Sequence, residues 1–449
     1  MASAAEQLAA NLNFGAFAKA TELKKRIWFT LGALIIYRFG TYIPVPGIDP
    51  AGMSQFFNAQ AGGLVDVFNM FSGGALERMS IFALNIMPYI SASIIMQLMT
   101  AVSPHMEQLK KEGEAGRKKI NQYTRYGTVL LATVQAYALA IGLQGLNEQG
   151  GVPVVIDPGA FFQASTVITI VGGTMFLMWL GEQITSRGVG NGISLIIFAG
   201  IVAELPNALA EVLDLGRTGE VSTFIILGLL IMAIAVVTFI VFMERAQRRL
   251  LVQYPKRQMG NRMVGGESSH LPLKLNTAGV IPPIFASSLL LLPTTLVGFS
   301  GGTGPDWVQW LVGSLAHGQP LFMLIYAAMI IFFCFFYTAI VFNPADTADN
   351  LKRYGGFIPG IRPGKNTADY IDYVLTRLTA VGSLYLAIVC LLPELLISRF
   401  PSVPFYLGGT SLLIVVTVTM DTVAQIHSHL MAHQYEGLIK KAKLRGRKR

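Results

Sequence analysis

Apolar residues in this chain fall in long continuous runs separated by short polar or charged stretches. A bilayer core of ~30 Å takes about 20 mainly apolar residues per crossing helix. On that measure ten spans are predicted, at 27–43, 79–101, 127–144, 162–181, 192–206, 221–243, 275–298, 320–342, 377–396 and 404–424. The fifth is short, and the tenth carries Thr410, Ser411, Thr417 and Thr419. The runs do not alternate with period two, which excludes a membrane β-barrel. An all-α polytopic membrane protein follows.

Lys and Arg in the loops set the orientation. Of the 34 Lys and Arg, only Arg38, Arg78, Arg217 and Arg399 fall on one side; the rest lie in the N-terminal segment, the tail and the loops after even-numbered spans. This alternation supports the count of ten and places both termini in the cytoplasm. The first 18 residues lack a basic stretch followed by an apolar core and a small-residue cleavage site, so no removable signal peptide is expected. Composition agrees: 53% apolar and 13% charged, with net charge +9, is far from the balance of a soluble enzyme or a disordered chain.

Two basic loops, 244–275 and 343–376, are long for simple connections. They suit either attraction to anionic lipid or docking of a large acidic or RNA-containing partner. Residues 64–74 are apolar but too short to span, carry Asp66 and Asn69, and end on Gly73-Gly74. Such a piece is either re-entrant and enclosed by protein or an amphipathic helix on the membrane surface.

The chemistry that is missing narrows the function. No Asp, Glu, Lys, Arg or His stands at the centre of any span, as a proton pump or ion-coupled transporter needs. Arg38, Glu204, Glu394 and Asp421 lie near span ends, where snorkelling accounts for them. HExxH, GxxxxGK[ST] and GxSxG motifs are lacking. Cys334 and Cys390 read as small buried hydrophobes, and the tail cluster of His427, His429 and His433 as incidental. No catalytic residue, metal site or cofactor is assigned. Uncharged polar residues remain inside spans. They are Asn85, Ser91, Ser93 and Gln97, with Pro88, on the second, and Asn276, Ser287 and Ser288, with Pro282-Pro283, on the seventh. Interhelical hydrogen bonds of ~0.6 kcal/mol and proline kinks would make these two helices either moving parts or ordinary anchors.

Several motifs in order carry a resemblance. They are Phe-Asn-Met-Phe-Ser-Gly-Gly-Ala-Leu at 68–76, Ile-Met-Pro-Tyr-Ile-Ser-Ala-Ser-Ile-Ile at 86–95, Gly-Glu-Gln-Ile-Thr at 181–185 and Gly-Asn-Gly-Ile-Ser at 190–194. Then come Leu-Pro-Leu-Lys-Leu-Asn at 271–276, Gly-Val-Ile-Pro at 279–282, Ala-Asp-Asn-Leu-Lys at 348–352, Pro-Gly-Ile-Arg-Pro-Gly at 359–364 and Gly-Gly-Thr-Ser-Leu-Leu-Ile-Val-Val at 408–416. From about Ile27 to the C-terminus the chain resembles the SecY/Sec61-alpha family of protein-translocase channel subunits.

The resemblance implies two inverted five-helix halves around a central hourglass pore. It divides the chain into an N-terminal segment 1–26, a first half 27–206, an external hinge 207–220, a second half 221–424 and a basic tail 425–449. Ile86, Ile90, Ile197, Ile284 and Ile414 match an aliphatic pore ring; such a collar gates by dewetting. Leu64, Val65, Asp66, Val67, Phe68, Asn69, Met70, Phe71, Ser72, Gly73 and Gly74 match a plug. Ser91, Gln97, Asn276, Pro282 and Ser287 match a lateral gate that admits signal sequences, with Gln97 and Asn276 in a polar cluster across it. Arg245, Arg248, Arg249, Lys256, Arg257, Arg262, Lys352, Arg353 and Arg362 match partner-docking loops, whose basic side chains suit RNA phosphate.

The partners implied are SecE, SecG, the SecA motor, the ribosome with its rRNA, and secretory preproteins with signal sequences. SecDF, YidC and membrane lipids complete the set, and the place implied is the bacterial inner membrane. The expected function is passive: unfolded chains cross, and transmembrane segments leave sideways. A secondary transporter of small solutes and a membrane-embedded enzyme are the alternatives. The uncharged spans count against the first, and the missing nucleophile–base set counts against the second.

Overall fold

The computed structural model describes residues 20–59, 69, 72–148, 154–218, 222–255, 257–259, 262–264, 268–298, 319–399 and 409–446. The helices in chain order are α1 (Thr21–Gly40), α2 (Pro50–Ala59), α3 (Met87–Val102), α4 (Pro104–Lys111), α5 (Glu114–Glu148), α6 (Ala160–Arg187) and α7 (Gly192–Thr218). After these come α8 (Thr223–Arg245), α9 (Ile281–Gly298), α10 (Pro320–Val341), α11 (Pro344–Arg353), α12 (Lys365–Arg399) and α13 (Gly409–Gly446). Each of the ten predicted spans falls on one of these helices. Seven of the described helices are long and apolar enough to cross a membrane. The helices at the first, second and seventh predicted spans are not among them: α1 carries Glu22, Lys24, Lys25, Arg26 and Arg38, and α3 and α9 are shorter than the expected runs.

Neighbouring helices follow one scheme in each half of the chain. In the first half α3 packs on α5, α5 on α6, α6 on α7, and α7 on α1. In the second half α9 packs on α10, α10 on α12, α12 on α13, and α13 on α8. The halves meet where α3 faces α9 and α7 faces α13. One buried apolar cluster runs through both halves and across that seam. By contrast α8, apolar all round, buries very little of itself, which suits a helix bathed in lipid or covered by another apolar helix.

The short α3 corrects the second predicted span. Residues 79–86 were expected to be helical, but they form turns, and α3 starts only at Met87. Gly73 (φ 67°), Gly74 (φ 75°), Met79 (φ 44°) and Asn85 (φ 50°) all have left-handed backbones, which no helix accommodates. Pro88 therefore opens α3 in its first turn, where a proline needs no donor, rather than kinking a longer helix. Pro282 and Pro283 stand likewise in the first turn of α9, which begins six residues after the predicted start.

Nonhelical backbone at this depth has to be enclosed by protein, and two close approaches achieve that. The Phe82 ring occupies the space a Cβ at Gly40 would fill, and the Ile81 carbonyl lies against Gly173 on α6. Phe82 stacks between Tyr37 and Phe176, at centroid distances of 6.2 and 6.0 Å.

Two further expectations change. The hinge expected at 207–220 is helical as far as Thr218, because α7 continues through Pro206. The basic loop 244–275 contains an antiparallel hairpin in which β1 (Gln247–Gln253) pairs with β4 (Ser268–Lys274), Arg248 opposite Leu273 and Leu250 opposite Leu271. Within it, β2 (Arg257–Met259) pairs with β3 (Arg262–Val264).

Replacing Gly173 by Val should destabilise the chain by about 1–3 kcal/mol, because the Ile81 carbonyl leaves no room for a side chain. Gly172, with open space around it, is the control. Thermal unfolding in detergent should show a lowered Tm for Gly173→Val and little change for Gly172→Ala.

Candidate functional site

The five aliphatic residues singled out from sequence are all buried and come from both halves. Ile86 immediately precedes α3, Ile90 is on α3, Ile197 on α7, Ile284 on α9 and Ile414 on α13. All are at most 7% exposed, and all belong to the buried cluster that crosses the seam. Two of them occupy matching positions in the two halves. Asn85, with positive φ, precedes Ile86, Met87 and Pro88, and Ile90 follows two residues after the proline. Gly279, also with positive φ, precedes Val280, Ile281 and Pro282, and Ile284 follows two residues after that proline. Each half thus uses the same device, a reversed turn and then a proline-started helix, to present an isoleucine. Such a collar offers no hydrogen bond to water or ions, and its packing is of side chains that can change rotamer.

Of the eleven residues at 64–74, Leu64, Val65, Asp66, Val67, Phe68, Met70 and Phe71 lie outside the described residues. Asn69, Ser72, Gly73 and Gly74 are described and are tied down. The Asn69 side chain accepts from the Glu77 backbone N–H at 2.9 Å and donates to the Glu77 carboxylate at 3.3 Å. Ser72 donates to the Asn69 carbonyl at 2.8 Å. Two side chains of α1 reach the same stretch: Tyr37 donates to the Ser72 carbonyl at 3.2 Å, and Arg38 to the Gly73 carbonyl at 2.6 Å. Glu204 on α7 lies 3.7 Å from the Arg38 guanidinium.

Snorkelling was the expectation for Arg38 and Glu204; instead they face each other beside Gly73. A signal for this pairing existed. Both stand at the same end of odd-numbered spans of one half, where opposite charges come to the same side.

Of the residues expected at a lateral gate, Ser91 and Gln97 stand on α3 and Pro282 and Ser287 on α9, which faces it. Ser91 is buried, Pro282 is buried, and Ser287 is half-buried. Ser288 donates across the seam to the Met87 sulfur at 3.6 Å. The polar cluster expected between Gln97 and Asn276 is not formed. Gln97 donates only to Ser93 on its own helix, at 3.4 Å, and its Oε1 is buried without a partner among the described residues. Asn276 turns into the second half, where it donates to Glu244 at 2.7 Å and to the Gly279 carbonyl at 3.0 Å, and accepts from the Gly279 N–H. Gly382 on α12 packs against the Leu275 carbonyl, which fixes this turn from behind.

The two basic loops form one body. Gln253 and Phe357 exchange backbone hydrogen bonds at 2.9 and 3.0 Å. Leu250 and Leu273 of the hairpin pack with Ile358, Ile371 and Val374 from the second loop and α12. Arg245, Arg248, Arg249, Lys352, Arg353 and Arg362 are exposed on it. Arg257 and Arg262 stand on β2 and β3, and Lys256 lies outside the described residues. Asn343 caps α11 by accepting from the Ala345 N–H at 3.0 Å. Lys352 and Arg353 in that helix's last turn complement its dipole. Sequence reading missed the hairpin, although Leu250 and Val252 alternate with exposed neighbours in β1. Among the described residues no group of His, Cys, Asp or Glu fits a metal.

Two halves with one scheme of helix neighbours, meeting across a shared buried apolar cluster, make a largely helical membrane fold. The SecY family model matches residues 80–423. The protein translocase subunit SecY of Escherichia coli K12 is 56% identical over 426 residues, covering 95% of this chain and 96% of that one. The chain belongs to the SecY family. Two solved structures share its fold. One, of the SecY protein, concerns how the plug domain stabilises the closed state of the translocation channel and maintains a membrane seal (TM-score 0.64, 19% identity, 91% of this chain and 92% of that one). The other is Sec61 in the canine ribosome–channel complex from the endoplasmic reticulum (TM-score 0.63, 17% identity, again 91% and 92%).

Removing the Asn276 side chain leaves Glu244 and the Gly279 peptide short of partners. Asn276→Ala should therefore destabilise the second half by about 1–3 kcal/mol. Gln97→Ala, which removes one long intrahelical bond, should move the Tm of the detergent-solubilised chain far less.

Proposed function

We propose that this chain is the channel through which unfolded secretory proteins cross the bacterial inner membrane, with both termini cytoplasmic and ten crossings in two inverted halves. The observation that carries the reading is the buried collar of Ile86, Ile90, Ile197, Ile284 and Ile414, drawn from four helices of both halves. Five crossings per half place the start of the second half on the opposite side from the first, and the repeated helix neighbours fit that inversion. No bond is made or broken. A resting collar excludes water and ions by dewetting, and residues 64–74 form the plug that covers it. The α3–α9 seam is the lateral gate. It is held by apolar packing and one weak O–H···S contact, so a signal sequence need supply little differential affinity to part it.

The exposed arginines and lysines of the hairpin and of α11 are the docking face for the ribosome and for the SecA motor. A ribosome-bound relative of the same fold supports the first, and the attraction of phosphate for clustered basic side chains supplies the physical reason. SecE and SecG are the partner subunits, and the nearly bare α8 offers one of them, or lipid, an apolar surface.

The test is reconstitution of the chain with SecE and SecG into sealed vesicles, followed by SecA, ATP and a secretory precursor. Protease protection of the precursor should require both this chain and ATP. Its absence in a complex that assembles normally would remove the channel reading and return attention to solute transport. In planar bilayers the Ile90→Ser/Ile284→Ser double variant should leak ions several-fold more than the parent at rest, because polar collar residues let water bridge the constriction.

A further inference from the structure

The charges beside Gly73 are more than the ends of two membrane helices, and their arrangement has a consequence for how the channel opens. Arg38 gives one guanidinium nitrogen to the Gly73 carbonyl at 2.6 Å and another to the Tyr42 hydroxyl at 3.0 Å. Its guanidinium also lies 5.0 Å from the Tyr42 ring centroid, and that of Arg78 lies 4.4 Å from the same centroid. Glu204 is the acidic group of this cluster: it faces Arg38 at 3.7 Å and accepts from Asn207 at 3.2 Å. Tyr37, fully buried, donates to the neighbouring Ser72 carbonyl.

The approach is close because the chain is bare there. A Cβ on Gly73 would come within 2.9 Å of the Gly200 Cα, and one on Gly74 within 2.7 Å of Glu204 Oε1 and 3.2 Å of Arg78 Nη1. Both glycines also need their positive φ. Two carbonyls of one short segment are thus gripped by α1, and the gripping arginine is steadied from α7.

We propose that the Arg38–Glu204 pair is a latch that holds the root of the plug shut, and that it is released as a step separate from parting of the lateral gate. The proposal rests on the reading of residues 64–74 as the plug. Every group in the latch belongs to the first half: Tyr37, Arg38 and Tyr42 at the end of α1, Arg78 in the turns before α3, Glu204 and Gly200 on α7. The gate and the collar, in contrast, lie between halves. Parting α3 from α9 breaks none of the latch contacts, so the seam can open to a signal helix while the seal stays in place. The latch is also easily remade. Its main bond is a single charge-assisted one between the Arg38 guanidinium and a peptide oxygen.

Loss of a charge-assisted hydrogen bond of this kind corresponds to a shift of about ten- to a hundredfold in the latched-to-free equilibrium. The test uses the assembled channel complex carrying Arg38→Gln, Glu204→Gln or, as control, Arg217→Gln, which removes a surface arginine from an exposed pair with Asp214. Hydrogen exchange is followed at the amides of Gly74, Leu76 and Glu77, all bonded to Asn69 or Ser72. Resting ion conductance is measured on the same samples.

Arg38→Gln should speed exchange at those amides and raise conductance by about ten- to a hundredfold, and Glu204→Gln, which removes only the ion pair, by about two- to fivefold, with the control unchanged. Unaltered exchange in either variant overturns the latch. Faster exchange with parental conductance keeps the latch but overturns the reading of this segment as the seal. Glu204→Gln is isosteric and leaves the Gly73 contact in place, so it decides the question even if Arg38→Gln fails to assemble.

Discussion

Inside a bilayer a backbone that leaves the helix must be wrapped in protein, because no water is present to satisfy its N–H and C=O groups. Residues 72–86 are such a backbone, and much of the first half is arranged around them. The stretch is buried almost throughout, and its turns are closed by its own peptides, as from Ser80 to Ala75 and from Asn85 to Phe82. Helices come close enough to enclose it only where a glycine removes a side chain. Gly40 admits the Phe82 ring, Gly173 admits the Ile81 carbonyl, and Gly200 lies against Gly73. With the segment fixed on three sides, α3 begins where Pro88 allows, and Ile86 and Ile90 arrive at the seam already positioned.

The same enclosure explains why charge is tolerated beside the collar. Arg38, Arg78 and Glu204 are only partly exposed, and isolated charges there would carry a large desolvation penalty. Here a carbonyl, a carboxylate, a phenol hydroxyl and an aromatic face share the work. The charges bind irregular backbone, which no apolar side chain can do.

Span positions and charge alternation were legible in sequence because they depend on composition over twenty residues, and each of the ten predicted runs falls on a helix. What composition hides is local. The run from Met79 to Ala101 is apolar throughout, and nothing in its hydropathy separates the turns before Pro88 from the helix after it. Only the left-handed backbones of Met79 and Asn85 do so, and neither residue type announces them. The five isoleucines were matched through the family resemblance, and all five are buried. The cross-gate pairing of Gln97 with Asn276 was not, because an asparagine's partner depends on which way a tight turn faces. Glu244 and the Gly279 carbonyl take both of Asn276's N–H donors within its own half. The basic hairpin was legible in principle, from the alternation in β1, but its charges drew attention to partners rather than to period.

The repeat between halves gives the asymmetry of the channel a simple origin. In the first half, the chain between the helix that opens the half and its proline-started partner makes the α1–α3 connection, whose described part is the buried stretch 72–86. In the second half the equivalent connection, from α8 to α9, is the β1–β4 hairpin with its basic face. On the inverted topology proposed above these equivalent insertions lie on opposite sides of the membrane, one a buried turn-rich segment and the other a basic hairpin. Each runs into its isoleucine through the same reversed turn, at Asn85 before Ile90 and at Gly279 before Ile284. In the first half the Phe82 ring and the glycines that enclose this stretch fix the chain before that turn. In the second half the bonds of Asn276 to Glu244 and Gly279 join the end of β4 to the start of α9.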